Sequence, residues 1–211
     1  IVSKQTGSSG QALDVAVMLQ KLQSTIDGGS LQLDAATKAV PPREEYTRTY
    51  SSSDAGLSAL MENFAKDHPG TYGVSMIELD GKKRRAEYNG DKQFVTASTY
   101  KLLVAYSLLK RIDSGARSWD SDQACFNKMI SLSDNACAES FLNAIGVSTL
   151  TSEANAIGLK NSTFMKGGGP YTTANDQALL LGMIATGQNF SSANQQRLLE
   201  AMKKNIYRKG I

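Results

Sequence analysis

The sequence predicts an α+β domain in which helices flank an antiparallel sheet, and three observations lead there. Asp80-Gly81 separates two alternating runs, Tyr72 to Leu79 and Arg84 to Tyr88, which is the short-range signature of a hairpin. Beyond it the chain turns helical: Ser98 to Ile112 carries Leu102-Leu103-Val104-Ala105-Tyr106 with little polar face, so that helix is expected to be buried all round. Further helical stretches follow near 120–130, 133–144 and 148–157, and a hairpin followed by helices is an α+β order. Of 211 residues, 41% are apolar and 20% charged, a balance that excludes disorder, collagen and coiled coil.

Taken in order, residues 3–10 read as linker, since they offer nothing apolar to bury. Leu13, Val17, Leu19, Leu22 and Ile26 then predict an amphipathic helix over 12–26, ended by Asp27-Gly28-Gly29, with Leu31 and Leu33 in a short strand. Pro41-Pro42 and Ser51-Ser52-Ser53 bracket a polar connection. With so few large apolar side chains, residues 1–50 are expected to be an N-terminal segment, a linker or the tail of a preceding domain. Their helix and strand are similar to the close of peptidoglycan-binding modules that precede cell-wall enzymes. The main domain is expected over 51–211. Ser53 or Asp54 caps its first helix, which runs through Leu57, Leu60, Met61 and Phe64 and stops at His68-Pro69-Gly70. Near the other end, the Thr173-x-x-Asp176 spacing predicts a capping box, Gly187 a helix stop, and Gln195 to Asn205 a last helix. The chain opens on Ile1 and stops at Lys209-Gly210-Ile211 without a turn, so a missing upstream segment, whether signal peptide, anchor or domain being left open, and a break inside the domain are expected.

Composition narrows the chemistry. A net charge of +3 is too diffuse to argue for nucleic acid, and the aromatics are scattered. No apolar run approaches the roughly 20 residues of a membrane span. The one histidine, His68, sits in a turn; its count excludes most zinc sites and leaves a Ser-His-Asp triad a single candidate base. Lys82-Lys83-Arg84-Arg85 reads as a solvated strand end blunting a sheet edge, or as a contact for anionic cell-wall polymers.

Two short runs carry chemistry, Ser98-Thr99-Tyr100-Lys101 and Ser133-Asp134-Asn135. Residues three apart share a helix face, so the Lys101 amine reaches the Ser98 hydroxyl. Serine is a poor nucleophile until a base takes its proton, and a lysine becomes that base when burial disfavours its ammonium. The first turn of a helix also offers backbone N–H groups to a developing oxyanion. Locally, an N-cap serine beside a solvated lysine explains Ser98 equally well. A second Ser-x-x-Lys, Ser107 to Lys110, lies deep in the same helix and has none of these advantages. Ser133-Asp134-Asn135 falls between two helical stretches, either as an N-cap tripeptide or as a loop presenting side chains to a cleft. In the second reading Ser133 relays a proton to a leaving amine, Asn135 holds a substrate amide and contacts Lys101, and Asp134 fixes the loop through backbone bonds.

Thr96-Ala97-Ser98-Thr99-Tyr100-Lys101-Leu102, then Ser133-Asp134-Asn135, then Tyr171-Thr172-Thr173-Ala174 together resemble the class A β-lactamases and penicillin-recognising serine D,D-peptidases over about residues 53–211. The resemblance implies a β-lactamase/D,D-peptidase-like α+β fold and acyl transfer from a β-lactam or a D-Ala-D-Ala-type peptidoglycan stem peptide. Ser98 would be the acylated nucleophile with half of an oxyanion hole at its own N–H, and Lys101 its base. Ser133 and Asn135 would form the opposite wall, with no metal or organic cofactor. It also implies an extracytoplasmic protein. Two departures stand out. The Lys-Thr-Gly strand is not found; Lys209-Gly210 lacks the hydroxyl residue, so the C-terminal strands are expected to be missing from the chain, and with them the other half of the oxyanion hole. The Glu-x-x-Leu-Asn loop that activates the deacylating water is matched by Lys166-Gly167-Gly168-Gly169-Pro170, which has no acid, while Glu139 and Glu153 read as solvated helix residues. Acylation with slow deacylation is therefore expected. The alternative is a non-catalytic cell-envelope module that keeps the fold to bind peptidoglycan or a partner. Cys125 and Cys137 flank the Ser-Asp-Asn turn and are either a disulfide bracing it or two buried thiols.

Overall fold

The structure, a computed structural model, describes residues 1–29, 32–165, 167 and 169–207. The chain divides into two units, Ile1–Tyr50 and Ser51–Ile211. The first unit holds β1 (Val2–Thr6), β2 (Gly10–Leu13), α1 (Val15–Asp27), β3 (Thr37–Val40) and β4 (Glu44–Arg48). β1 pairs antiparallel with β4, Val2 opposite Arg48, and β2 with β3, Gly10 opposite Val40. The linker expected over 3–10 is thus corrected, since Ser3 to Thr6 lie in β1. Ladder bonds use only backbone groups, so a strand solvated on both faces leaves no hydropathy pattern to read. Leu13 closes β2 instead of opening the helix, which starts behind its cap, Asp14. Leu33 lies in no strand, and Leu31 falls outside the described residues. No residue of α1 is buried, and Val15, Leu19, Leu22 and Ile26 are exposed.

The second unit opens with α2 (Asp54–Asp67), capped by Ser53, whose hydroxyl accepts from Gly56 N–H at 3.2 Å. The hairpin follows as β5 (Val74–Ile77) and β6 (Arg85–Tyr88), Ile77 opposite Arg85. Its connection runs over 78–84, wider than a two-residue Asp-Gly turn. The extra width is closed by a charged fork in which Arg84 donates to Glu78 through Nε (2.9 Å) and Nη2 (2.7 Å). That pair holds the Glu78 carboxyl down at about 2. Arg84 also donates to the Ser52 carbonyl, so the basic run is not simply solvated. α2 packs on β6.

The remaining elements are β7 (Phe94–Val95), a 3₁₀ turn (Ala97–Thr99), α3 (Tyr100–Asp113), α4 (Trp119–Ser131), α5 (Asn135–Ile145), α6 (Val147–Ala156), β8 (Tyr171–Thr172), α7 (Ala174–Thr186) and α8 (Ser192–Lys203). α3 is the hub: Val104, Ala105, Tyr106, Leu108 and Leu109 are fully buried, as its nearly all-apolar circumference predicts. Around them pack Phe126 and Met129 of α4, Phe141 of α5, Leu150 of α6, Leu180 of α7 and Leu198 of α8. Burying each such side chain contributes about 1.5–3 kcal/mol, which makes this cluster the rigid base of the unit.

Boundary chemistry behaves as the sequence predicts at both ends of α7. Thr173 Oγ1 accepts from Asp176 N–H, and Gly187, at φ 71°, takes the left-handed stop that a side chain would resist. The reciprocal half of the box is replaced. The buried Asp176 carboxylate accepts from Ser162 Oγ (2.7 Å) and Asn161 N–H (3.0 Å), tying the 157–173 loop to α7. Burial pushes its pKa up despite these bonds. Glu153, expected to be solvated, pairs with Arg111 at 2.9 Å and accepts from the buried Ser107 hydroxyl. His68 stacks on Phe64 in an exposed turn.

Candidate active site

Ser98 sits in the 3₁₀ turn that leads into α3, and tertiary pairing fixes the approach to it. β7 pairs with β8, Phe94 opposite Thr172, and Thr96 N–H donates to the Pro170 carbonyl at 2.9 Å. Thr99 then bonds back to the Thr96 carbonyl through its N–H (3.0 Å) and its hydroxyl (2.6 Å). Between them Ala97 has φ 45°, a left-handed conformation that costs a residue with a Cβ. The result is an abrupt entry into the helix that leaves Ser98 exposed while Lys101, three residues on, is 2% exposed. No side chain caps α3, which sets aside the N-cap reading of Ser98.

The opposite wall comes from the connection between α4 and α5. Asp134 caps α5, its Oδ1 accepting from Cys137 N–H at 2.8 Å, as the backbone-bonding role predicts. Cys125 of α4 and Cys137 of α5 are joined in a disulfide, with Cα atoms 5.2 Å apart. Held on both sides, the connection places Ser133 at φ 55°, a second strained residue, and turns its carbonyl and its hydroxyl toward Lys101.

Four oxygens surround the Lys101 amine. Nζ lies 2.5 Å from the Ser133 carbonyl, 2.7 Å from Asn135 Oδ1, 2.9 Å from Ser133 Oγ and 3.3 Å from Ser98 Oγ. Ser133 Oγ and Ser98 Oγ are 2.9 Å apart, so the amine and the two hydroxyls form a closed triangle. The two carbonyl-type oxygens can only accept, so they claim two N–H bonds of the amine. Its remaining position faces the two hydroxyls, as a third N–H in the ammonium or as a lone pair in the neutral amine. Burial lowers the Lys101 pKa, against the opposing pull of the Asp134 and Glu139 carboxylates. The shift is toward the neutral amine, whose lone pair would face the hydroxyls.

Beside these groups lies a cavity of about 340 Å³, lined by Ser98, Lys101 and Ser133 together with the apolar Leu102, Met129 and Met202. The sequence reading named Ser98, Lys101, Ser133 and Asn135, and all four converge. It did not anticipate the two left-handed residues, for which no sequence signal exists, or the β7–β8 pair. Nor did it connect Glu139 with Lys101, although Glu139 stands one helical turn after Asn135. Of the glycine-rich stretch, Lys166 and Gly168 fall outside the described residues, as do Lys209 and Gly210. Among the described residues, no group of three or more His, Cys, Asp or Glu side chains is placed to hold a metal ion.

Comparison with known proteins bears on the family and the fold. A model described as the β-lactamase enzyme family matches residues 56–125 and 121–211. Among solved structures, an ancestral class A β-lactamase, GNCA, superposes with a TM-score of 0.63 at 25% identity, over 71% of this chain and 71% of that one. A β-lactamase from Sphaerobacter thermophilus (TM-score 0.63, 18% identity, 72% and 71% covered) and PBP-A (TM-score 0.66, 20% identity, 76% and 72% covered) share the fold. No curated protein matches.

Proposed function

The chain belongs to the β-lactamase enzyme family, and from that premise we propose that it is a serine acyl-transfer hydrolase acting through an acyl-Ser98 intermediate on β-lactams or D-Ala-D-Ala-type peptides. The observation that carries the reading is the buried Lys101 amine within reach of both Ser98 Oγ and Ser133 Oγ. In the first step the lone pair of Lys101 takes the Ser98 proton as Oγ bonds to the substrate carbonyl carbon. Negative charge grows on the carbonyl oxygen, and the Ser98 backbone N–H at the helix entry is the donor assigned to stabilise it. When the intermediate collapses, the carbon–nitrogen bond breaks. The proton on Lys101 passes through the Ser133 hydroxyl to the departing nitrogen, a path supported by the 2.9 Å from Lys101 Nζ to Ser133 Oγ, which itself lies 2.9 Å from the Ser98 Oγ where the bond breaks. Asn135 holds Lys101 in place and offers its amide to the substrate.

The stretch 166–170 supplies no carboxylate, so release of the acyl group is slow and the adduct accumulates. The disulfide is at home in an oxidising compartment, which supports an extracytoplasmic setting for a cell-wall or β-lactam substrate. The test is incubation of the full-length protein with a fluorescent penicillin. A covalent adduct on Ser98 that is lost in Ser98→Ala supports the enzyme. No adduct at any pH points instead to a non-catalytic cell-envelope module.

A further inference from the structure

We infer that Glu139 is the general base that activates the water releasing the acyl group from Ser98, an assignment that rests on Ser98 being the acylated residue. Hydrolysis of an ester at neutral pH needs a group that accepts a proton from the attacking water. Two carboxylates make their charge felt at Lys101, those of Asp134 and Glu139. Asp134 is committed: its Oδ1 caps α5 at Cys137 N–H. Glu139 is free to act, since its exposed carboxylate makes no hydrogen bond or ion pair with any described residue.

Position on the helix agrees. α5 buries Cys137, Ala138, Phe141 and Ile145 on one face. Asn135 and Glu139 are one turn apart on the exposed edge beside that face, and Asn135 Oδ1 is already 2.7 Å from Lys101 Nζ. Glu139 also acts electrostatically on Tyr100, whose ring meets Phe164 edge-on at 6.1 Å between centroids. Leu102 lines the apolar cavity and Glu139 does not, so the water belongs at the Glu139 carboxylate and not in that cavity.

A water held there loses a proton to Glu139 as its oxygen bonds to the acyl carbon. The tetrahedral intermediate then expels Ser98 Oγ, and the proton returns from Glu139 to Oγ by way of Lys101. Water is split, hydroxyl to the acid product and hydrogen to serine, and the enzyme is restored. A solvent-exposed base positions its water poorly, so the gain belongs at the low end of the roughly 10²–10⁴-fold span of such catalysis. Slow turnover is its signature.

The experiment compares wild type, Glu139→Gln and Glu139→Asp after acylation by a fluorescent penicillin, following formation and loss of the adduct by gel and intact mass. Glu139→Gln is expected to form the adduct within a few-fold of the wild-type rate and to keep it at least tenfold longer, with Glu139→Asp in between. A merely structural role would change formation and loss together, or neither. Equal adduct lifetimes in wild type and Glu139→Gln overturn the role of Glu139 alone. Absence of any adduct on wild type overturns the Ser98 reading, and this assignment with it.

Discussion

Breaking the Cys125–Cys137 bridge tests how the turn carrying Ser133 is held. The two cysteines are 12 apart in sequence, and the closed segment contains the end of α4, the whole Ser133 connection and the first turn of α5. Releasing a loop of about 13 residues returns entropy to the unfolded chain equivalent to about 3 kcal/mol at 25 °C. Replacing both residues by alanine also removes the Cys137 sulfur from a largely buried position, adding about 1 kcal/mol. The expected loss for Cys125→Ala/Cys137→Ala is therefore about 3–4 kcal/mol, and reduction of the wild type alone should show the 3 kcal/mol share. For a unit of this size that share lowers the Tm by roughly 6–12 °C. Urea unfolding with and without dithiothreitol measures it. The acylation rate should fall as well, because the left-handed Ser133 is kept in place from both flanking helices. A midpoint that moves by less than the equivalent of about 0.5 kcal/mol would refute the reasoning, since the chain-entropy effect depends only on loop length.

Acylation should also titrate. Because burial lowers the Lys101 pKa from 10.5, the rate should climb with pH through that lowered value and level off before an ordinary lysine would; a rate still rising tenfold per pH unit beyond 10.5 would contradict a buried base. The linkage has the matching sign. As pH drops below 10.5 the unfolded chain takes up the proton first, so Lys101's contribution to stability is full above 10.5 and declines until the folded value is passed. Ser107→Ala separates the two Ser-x-x-Lys copies. It deprives Arg111 Nη1 of a 2.6 Å acceptor and Glu153 of a donor, costing about 1–3 kcal/mol in a melt while leaving penicillin labelling unchanged. Label found on Ser107 would count against the whole assignment.

Helices were the legible part because their signals are local. Asp134, Thr173 and Gly187 each announce a boundary by side-chain chemistry that acts within one turn, and the structure uses each of them there. Strands were legible only where one face is buried. The β5–β6 hairpin shows alternation, whereas β1 and β4 are solvated throughout and leave no trace in hydropathy. Partners distant in sequence were invisible for a related reason: nothing near Glu153 says that Arg111 will be opposite. The candidate site residues could be named from spacing, but not the left-handed backbone at Ala97 and Ser133 that aims them. Left-handed backbone at alanine and serine is imposed by tertiary bonds, and neither residue type predicts it.

Spacing alone also cannot distinguish Ser98 and Lys101 from Ser107 and Lys110, and burial does. Both pairs have the same three-residue offset, and Lys101, Ser107 and Lys110 all lie in α3, yet the exposures of the two pairs are reversed. Ser98 is open and Lys101 is 2% exposed, whereas Ser107 is sealed and Lys110 is exposed, its amine 5.7 Å from the centre of the Tyr106 ring. An acyl-transfer serine must be reachable by a substrate carbonyl, and its lysine must be dry enough to surrender a proton. The second pair fails on both counts at once. The Lys110 amine stands in solvent, and a serine enclosed between Arg111 and Glu153 meets no substrate. The 3₁₀ entry to α3 makes the difference, since it lifts position 98 out of the packed helix while leaving position 101 inside it.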